Sequence, residues 1–234
     1  MAKSLLERQV RLVEYMTSGA AIFGDSRGLS LTPAIEGIDR GLLQIEAHFS
    51  YAKRRDKIVA VFPTTFGLLG RSDAAILRDF VESCPPASIS RLENARQFCR
   101  FLSSRWMREP SDPPYAPDVA ACELACAEVD ADVEERRQLE RNEPDQRKSG
   151  IRRCRAVVLL RCAYDVRPIF ETGFEQAVPT KRETRLAVAQ PPGANGPLVS
   201  EVAPQVQHVD PPQGMQRPIH EIAPGLDGRP VIDH

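Results

Sequence analysis

Two groups of residues have types and spacing that could do chemistry. Cys122 and Cys126 stand four apart, which on a helix places two thiols on one face, half of a soft-metal site. No histidine or second cysteine pair lies at a matching spacing, so the competing reading is two small apolar residues in a helix core. The second group is the basic run Lys53, Arg54, Arg55 and Lys57, with Asp56 among them. It covers about a turn and a quarter of helix. Such a run can contact phosphate, form a solvated or ion-paired face, or meet a protein partner. The chain carries a net charge of −1, so a global drive toward nucleic acid is missing and any such binding must be local. Apolar residues follow the run, where a groove-reading helix would carry polar base-reading side chains.

Acid–base chemistry at neutral pH usually asks for histidine, and the chain has four. His208, His220 and His234 fall in a C-terminal stretch that offers nothing rigid to hold them; His48 lies in a helix beside Phe49. Dinucleotide, phosphate-loop, nucleophile-elbow and zinc-protease motifs do not occur. Asp25 and Asp73 stand near glycines without a carboxylate partner at useful spacing. The sequence assigns no catalytic residue and no metal ligand, and self-sufficient catalysis is disfavoured.

The elements that must position these residues are mostly helical over the first 110 residues. Ser4 and Glu7 make an S-x-x-E capping box ahead of Leu5, Leu6, Val10, Val13 and Met16, and Gly19 ends that helix. Thr32 and Pro33 form a helix start, and Ile35, Ile38, Leu42, Ile45 and Phe49 follow at helical spacing as one buried stripe. The helix continues through Tyr51 to Phe62, Pro63 breaks it, and a glycine-bounded turn follows. Ser72 opens a short helix with Ile76, Leu77, Phe80 and Val81, stopped by Cys84-Pro85-Pro86. Ser90 and Glu93 make a second capping box, before Leu92, Ala95, Phe98, Cys99, Phe101 and Leu102. Residues 109–117, EPSDPPYAP, are a rigid loop. Residues 118–141 are helical again, apolar first and then charged, the charged half being a solvated face.

The texture changes at Arg155. RAVVLLRCAYDVRPIF is rich in β-branched residues and reads as two strands or one long bent strand, with Pro168 at an edge or a strand end. TRLAVA, residues 184–189, is a second strand. Ten of the twenty prolines follow Gly173, and no aromatic follows Phe174. Such a segment buries too little to offset its ordering entropy, so residues 191–234 are expected to be an extended or disordered tail. The fold class is α+β: a helical N-terminal domain over 1–145, a small β-domain over 151–190, then the proline-rich tail. Neither a transmembrane run nor a signal peptide is legible. The six cysteines then read as reduced thiols in a cytoplasmic protein.

In their order, SYAKRRDKIVAVFPTTFGLLG, PPASISRLENARQFCRFL, LLRCAYDVRPIFE and TRLAVAQPPGA resemble the MbnC-like family. Its members are small partner subunits of the methanobactin biosynthesis enzyme MbnBC. The resemblance covers roughly residues 5–194; after Ala194 the chain departs from that family's more hydrophobic ending. The resemblance implies a subunit without metal or cofactor of its own, in a heterodimer with an MbnB-like TIM-barrel protein that holds multinuclear iron. The pair oxidises cysteines of a ribosomally made precursor to oxazolone and thioamide. The small subunit would capture the leader of that cysteine-containing peptide on its β-region. The peptide-contact residues are then Val157, Val158, Leu159, Leu160, Arg161, Tyr164 and Arg167, the arginines pairing with leader carboxylates or with acids of their own domain. The partner-contact residues are Tyr51, Lys53, Arg54, Arg55, Lys57, Phe62 and Phe66. No membrane is expected as a partner. A nucleic-acid-binding module built on Lys53–Lys57 is the rival reading.

Overall fold

Capping residues decide where the helices begin. The Ser4 hydroxyl accepts from the Glu7 N–H at 3.3 Å and the Glu7 carboxylate accepts from the Ser4 N–H at 2.9 Å, closing the expected box ahead of α1, Leu5–Met16. The computed structural model describes residues 4–23, 37–142, 157–191 and 194–202. Gly19 opens a second short helix, α2, Gly19–Phe23. The helix start expected at Thr32 and Pro33, with Ile35, lies outside the described residues. The helix that carries the basic run, α3, Arg40–Val59, is capped by Asp39, whose carboxylate accepts from the N–H groups of Gly41 and Leu42 at 2.7 and 3.1 Å.

The apolar stripe of α3 does not face the core as expected. Ile38, Leu42, Ile45 and Phe49 are exposed, Leu42 to 62% and Phe49 to 57%. The buried line is Leu43, Ala47, Arg54 and Ile58, on another face of the helix. On α1 the apolar positions Leu5, Leu6, Val10 and Val13 are exposed as well.

Pro63 ends one helix and starts the next. It keeps Phe62 out of helical geometry, at φ −119°, and occupies the first turn of α4, Pro63–Leu69, where its missing N–H costs nothing. The stretch expected to be a glycine-bounded turn is thus α4 and a 3-10 turn at Gly70–Ser72. Phe62 has no side-chain group to cap α4, and a carboxylate from a distant helix does so. Glu123 accepts from the N–H groups of Thr64 and Thr65 at 2.6 and 3.0 Å and from the Thr65 hydroxyl at 2.6 Å.

The main core gathers around Phe98 of α6, Arg91–Arg108. Its ring stacks on Phe66 at 5.5 Å and meets Phe62 at 5.6 Å. It also makes an edge contact at 5.2 Å with Phe80 of α5, Asp73–Ser83. The long helix α7, Ala116–Asn142, joins this core to the sheet. Ala120 packs into the aromatic cluster, while Val119, Cys122, Ala125 and Val129 pack against strand residues. The charged end of α7 is ion-paired and exposed, with Glu134 taking Arg141 at 2.9 Å and Arg137 at 3.9 Å.

The sheet is antiparallel, in the order β1-β2-β3. Strand β1, Val157–Asp165, pairs with β2, Thr180–Ala189, from Val157 opposite Ala189 to Asp165 opposite Thr180, with an irregularity between Cys162 and Tyr164. Only the first part of the expected long strand is therefore extended. Residues Arg167–Thr172 form α8, with Pro168 in its first turn. Strand β3, Leu198–Glu201, lies inside the stretch expected to be a tail: Leu198 opposes Ala189 and Glu201 opposes Leu186. The tail beyond Val202 lies outside the described residues. The order of elements, helices first and a small antiparallel sheet after, makes the fold α+β.

Candidate functional site

Two places carry the expected contact residues: the basic run on α3 and the strand β1. On α3 the four cations are not equivalent. Arg54 is buried: its Nε donates to Asn94 Oδ1 at 2.9 Å, Nη1 to the Cys84 carbonyl at 2.8 Å, and Nη2 to Gln97 Oε1 at 2.8 Å. Its guanidinium lies 4.4 Å from the centre of the Phe80 ring. Burial pulls its pKa down to about 10, against the nearby Cys84, so it stays charged at neutral pH. Arg55 is exposed and pairs with Asp56 at 2.9 Å. Lys53 is exposed, and Lys57 donates to the Ile89 carbonyl at 2.6 Å.

The expected partner-contact set therefore divides. Phe62 is wholly buried and Phe66 nearly so, both spent on the Phe98 cluster, and Arg54 is spent tying α3 to α6. These three are corrected to structural residues. Tyr51, half-buried, meets Phe23 edge-on at 5.3 Å. Burial raises its hydroxyl pKa, partly offset by Arg55. Tyr51, Lys53, Arg54 and Lys57 come together along one cleft with Val13 and residues 86–89. Arg55 does not line it.

Strand β1 alternates as the pleat demands. Val158, Leu160 and Cys162 face α7, Cys162 fully buried. Val157, Leu159 and Arg161 face outward, Leu159 70% exposed. Opposite the outward pair stand Ala189 and Ala187 of β2, and opposite Ala189 stands the exposed Leu198 of β3. The outer face is thus apolar at this end. Among the described residues β1 pairs with β2 alone, which leaves its other edge open. The open stretch ends near the irregularity, where the Tyr164 N–H donates to Asp118 of α7 at 2.9 Å.

The remaining expected peptide contacts already have partners. Tyr164 meets Tyr115 edge-on at 6.1 Å. Arg161 pairs with Glu183 at 2.8 Å on the exposed face. Arg167 holds Asp165 through Nε at 2.8 Å and Nη2 at 2.6 Å, and reaches Glu201 at 2.7 Å. Arg182 closes this four-member network on Asp165 and Glu201. The Arg167 hydrogen bonds, more than the Arg182 one, hold the Asp165 carboxyl well below the usual carboxylate range. Of the two alternatives open for Arg167, pairing with acids of its own domain is the one seen, as a clasp joining β1, α8, β2 and β3.

Cys122 meets Cys162 of β1, and that contact, with burial, pushes its thiol far above its ordinary pKa. Burial lifts Cys126 to about 11. These are protonated, inward thiols at neutral pH. Among the described residues no three histidine, cysteine or acidic side chains gather where they could hold a metal ion, and no helix is long and apolar enough to cross a membrane.

Sequence reading missed two charged groups. Glu123 was legible only as a lone carboxylate between apolar neighbours, Cys122 and Leu124. Burial raises its pKa, opposed by the three hydrogen bonds from Thr64 and Thr65. The clasp needs Arg182 and Glu201, whose roles depend on strand register and left no sequence signal. Comparison of the chain with protein-family models, curated proteins and solved structures finds no match. The likeness to MbnC-like subunits therefore stands on its quoted residues alone.

Proposed function

We propose that this chain is a non-catalytic subunit that captures a peptide as an added strand on the open edge of β1. The observation that carries the reading is the stretch Val157–Arg161: an edge unpaired among the described residues, beside an outward apolar face of Val157, Leu159, Ala187, Ala189 and Leu198. An added strand would take its affinity from main-chain hydrogen bonds and its register from alternate side chains resting on that face. Arg161, exposed and held among the described residues by a surface pair with Glu183, sits where it can exchange that partner for a peptide carboxylate at small cost.

In its specific form the proposal follows the resemblance. The peptide is the leader of a cysteine-containing precursor, and the partner is a TIM-barrel protein whose multinuclear iron oxidises those cysteines. The helical surface of exposed Lys53 and Arg55 with partly buried Tyr51 and Lys57 is the docking side for that partner. Co-expression with such a barrel protein and its precursor tests it. Isolation of a heterodimer that converts the precursor, with loss of precursor binding on Leu159→Pro, is the expected result. A chain that forms no complex and holds no leader contradicts it, and salt-sensitive retention of DNA in their place supports the rival nucleic-acid module.

A further inference from the structure

We propose that the cleft beside the basic run is a binding site for a carboxylate-headed amphiphile, a small molecule with an apolar body and one anionic end. The cleft encloses about 460 Å³, within the range of about 300–1,000 Å³ common to small-ligand sites. Its walls come from five helices, Asn94 of α6 among them, and a loop. Val13 belongs to α1, Ile22 to α2, Tyr51 to α3 and Val81 to α5, with the loop Pro86–Ile89 as the far lip. Ile22 and Val81 are buried and form an apolar floor, and the Ile89 side chain stands exposed at the lip.

Among the described residues the charges lining this cleft are of one sign: Lys53, Arg54 and Lys57 contribute to it, and no carboxylate does. Arg54 is fixed by three hydrogen bonds and supplies a permanent charge to the lining. Lys57 ties the lip to α3 through the Ile89 carbonyl and keeps further ammonium protons for an anion. Lys53 stands exposed on the same helix, one turn before Lys57. An apolar body would bury against Val13, Ile22 and Val81 while its carboxylate meets the lysines in charge-assisted hydrogen bonds. The Lys57 tie bridges helix and lip, which suits a pocket for one apolar body better than a channel for an extended chain. A cationic amphiphile would gain the same burial and meet only like charge. The assignment does not depend on peptide capture at β1, and the ligand would compete with the barrel partner proposed above for Tyr51, Lys53 and Lys57.

The full chain titrated calorimetrically with dodecanoate, and separately with dodecyltrimethylammonium, tests this. Both are kept below their micellar concentrations. Saturable binding of one dodecanoate, at least tenfold tighter than the cation, is expected. The double variant Lys53→Glu, Lys57→Glu should lose at least tenfold of that affinity, and Lys181→Glu, exposed on β2 and outside the cleft, should lose none. Should the double variant fail to fold by circular dichroism, Lys53→Gln serves in its place with a severalfold loss. Equal affinity for the two head groups, absence of saturable dodecanoate binding, or indifference to the lysine variants would overturn the proposal. An acidic peptide bound by a cleft that refuses dodecanoate would overturn it too, and would give the cleft to a protein partner.

Discussion

Helix α6 and the first half of α3 carry apolar residues at equally regular helical spacing, yet they end in opposite places. Ala95, Phe98 and Leu102 of α6 are fully buried, whereas Leu42, Ile45 and Phe49 of α3 stand in solvent. Helix α6 has α3 and α7 packed against it, so its apolar face is covered. Helix α3 turns Leu43, Ala47 and Ile58 inward, and its stripe points away from the core. A helical period identifies a face; what covers that face depends on elements far away in sequence. The same contrast recurs within the basic run, where Arg54 is a core residue and Arg55, its neighbour, a surface one.

The sharpest way to break the comparison is to truncate the hub. Phe98→Ala should lower stability by about 3–5 kcal/mol in urea unfolding, because it opens a cavity among Phe62, Phe66 and Phe80. Next come the two charged groups that hold helices together. Glu123→Ala strips the cap from α4, and Arg54→Met leaves the side-chain oxygens of Asn94 and Gln97 without their donor. Each should cost about 2 kcal/mol, and Arg55→Met should stay within about 0.5 kcal/mol of the parent. Equal costs at Arg54 and Arg55 would erase the contrast inside the run.

Acid sharpens the comparison on the sheet side. Because its bonds to Arg167 depress the folded pKa of Asp165, the clasp stabilises fully above the ordinary aspartate pKa of about 3.9 and loses that contribution as pH falls toward the folded value. The stability gap between the parent and Asp165→Asn, about 2 kcal/mol at pH 6, should therefore shrink at pH 3. A gap of unchanged size would mean the clasp does not hold β1 to β3. The smallest effect is expected at Phe49→Ala, within about 0.5 kcal/mol. A loss of several kcal/mol there would show that the α3 stripe is covered in solution, and the contrast with α6 would fall.

The legible parts of the fold were those fixed by short-range rules. The Ser4 box, the break at Pro63, the strand Val157–Asp165 and the strand ending at Ala189 all follow from neighbours within a turn or a pleat. What was not legible depended on distant pairing. Residues 198–201 are a strand because Ala187 and Ala189 offer them a ladder, and nothing in LVSE itself overrides the prolines around it. Residues after Asp165 turn helical because Pro168 fits a first helical turn better than a strand. Among the expected contact residues, Val157, Leu159 and Arg161 are outward. Phe62, Phe66, Arg54 and Arg167 have inward partners that only the tertiary structure supplies.

Backbone amide exchange, read residue by residue with and without the cysteine-containing precursor peptide, tests the capture of a strand by β1 most directly. Slower exchange over Val157–Arg161, with Leu43–Ile58 of α3 unchanged, is the expected outcome. Unchanged exchange on β1 while the peptide is bound would contradict it and place the peptide elsewhere on the molecule.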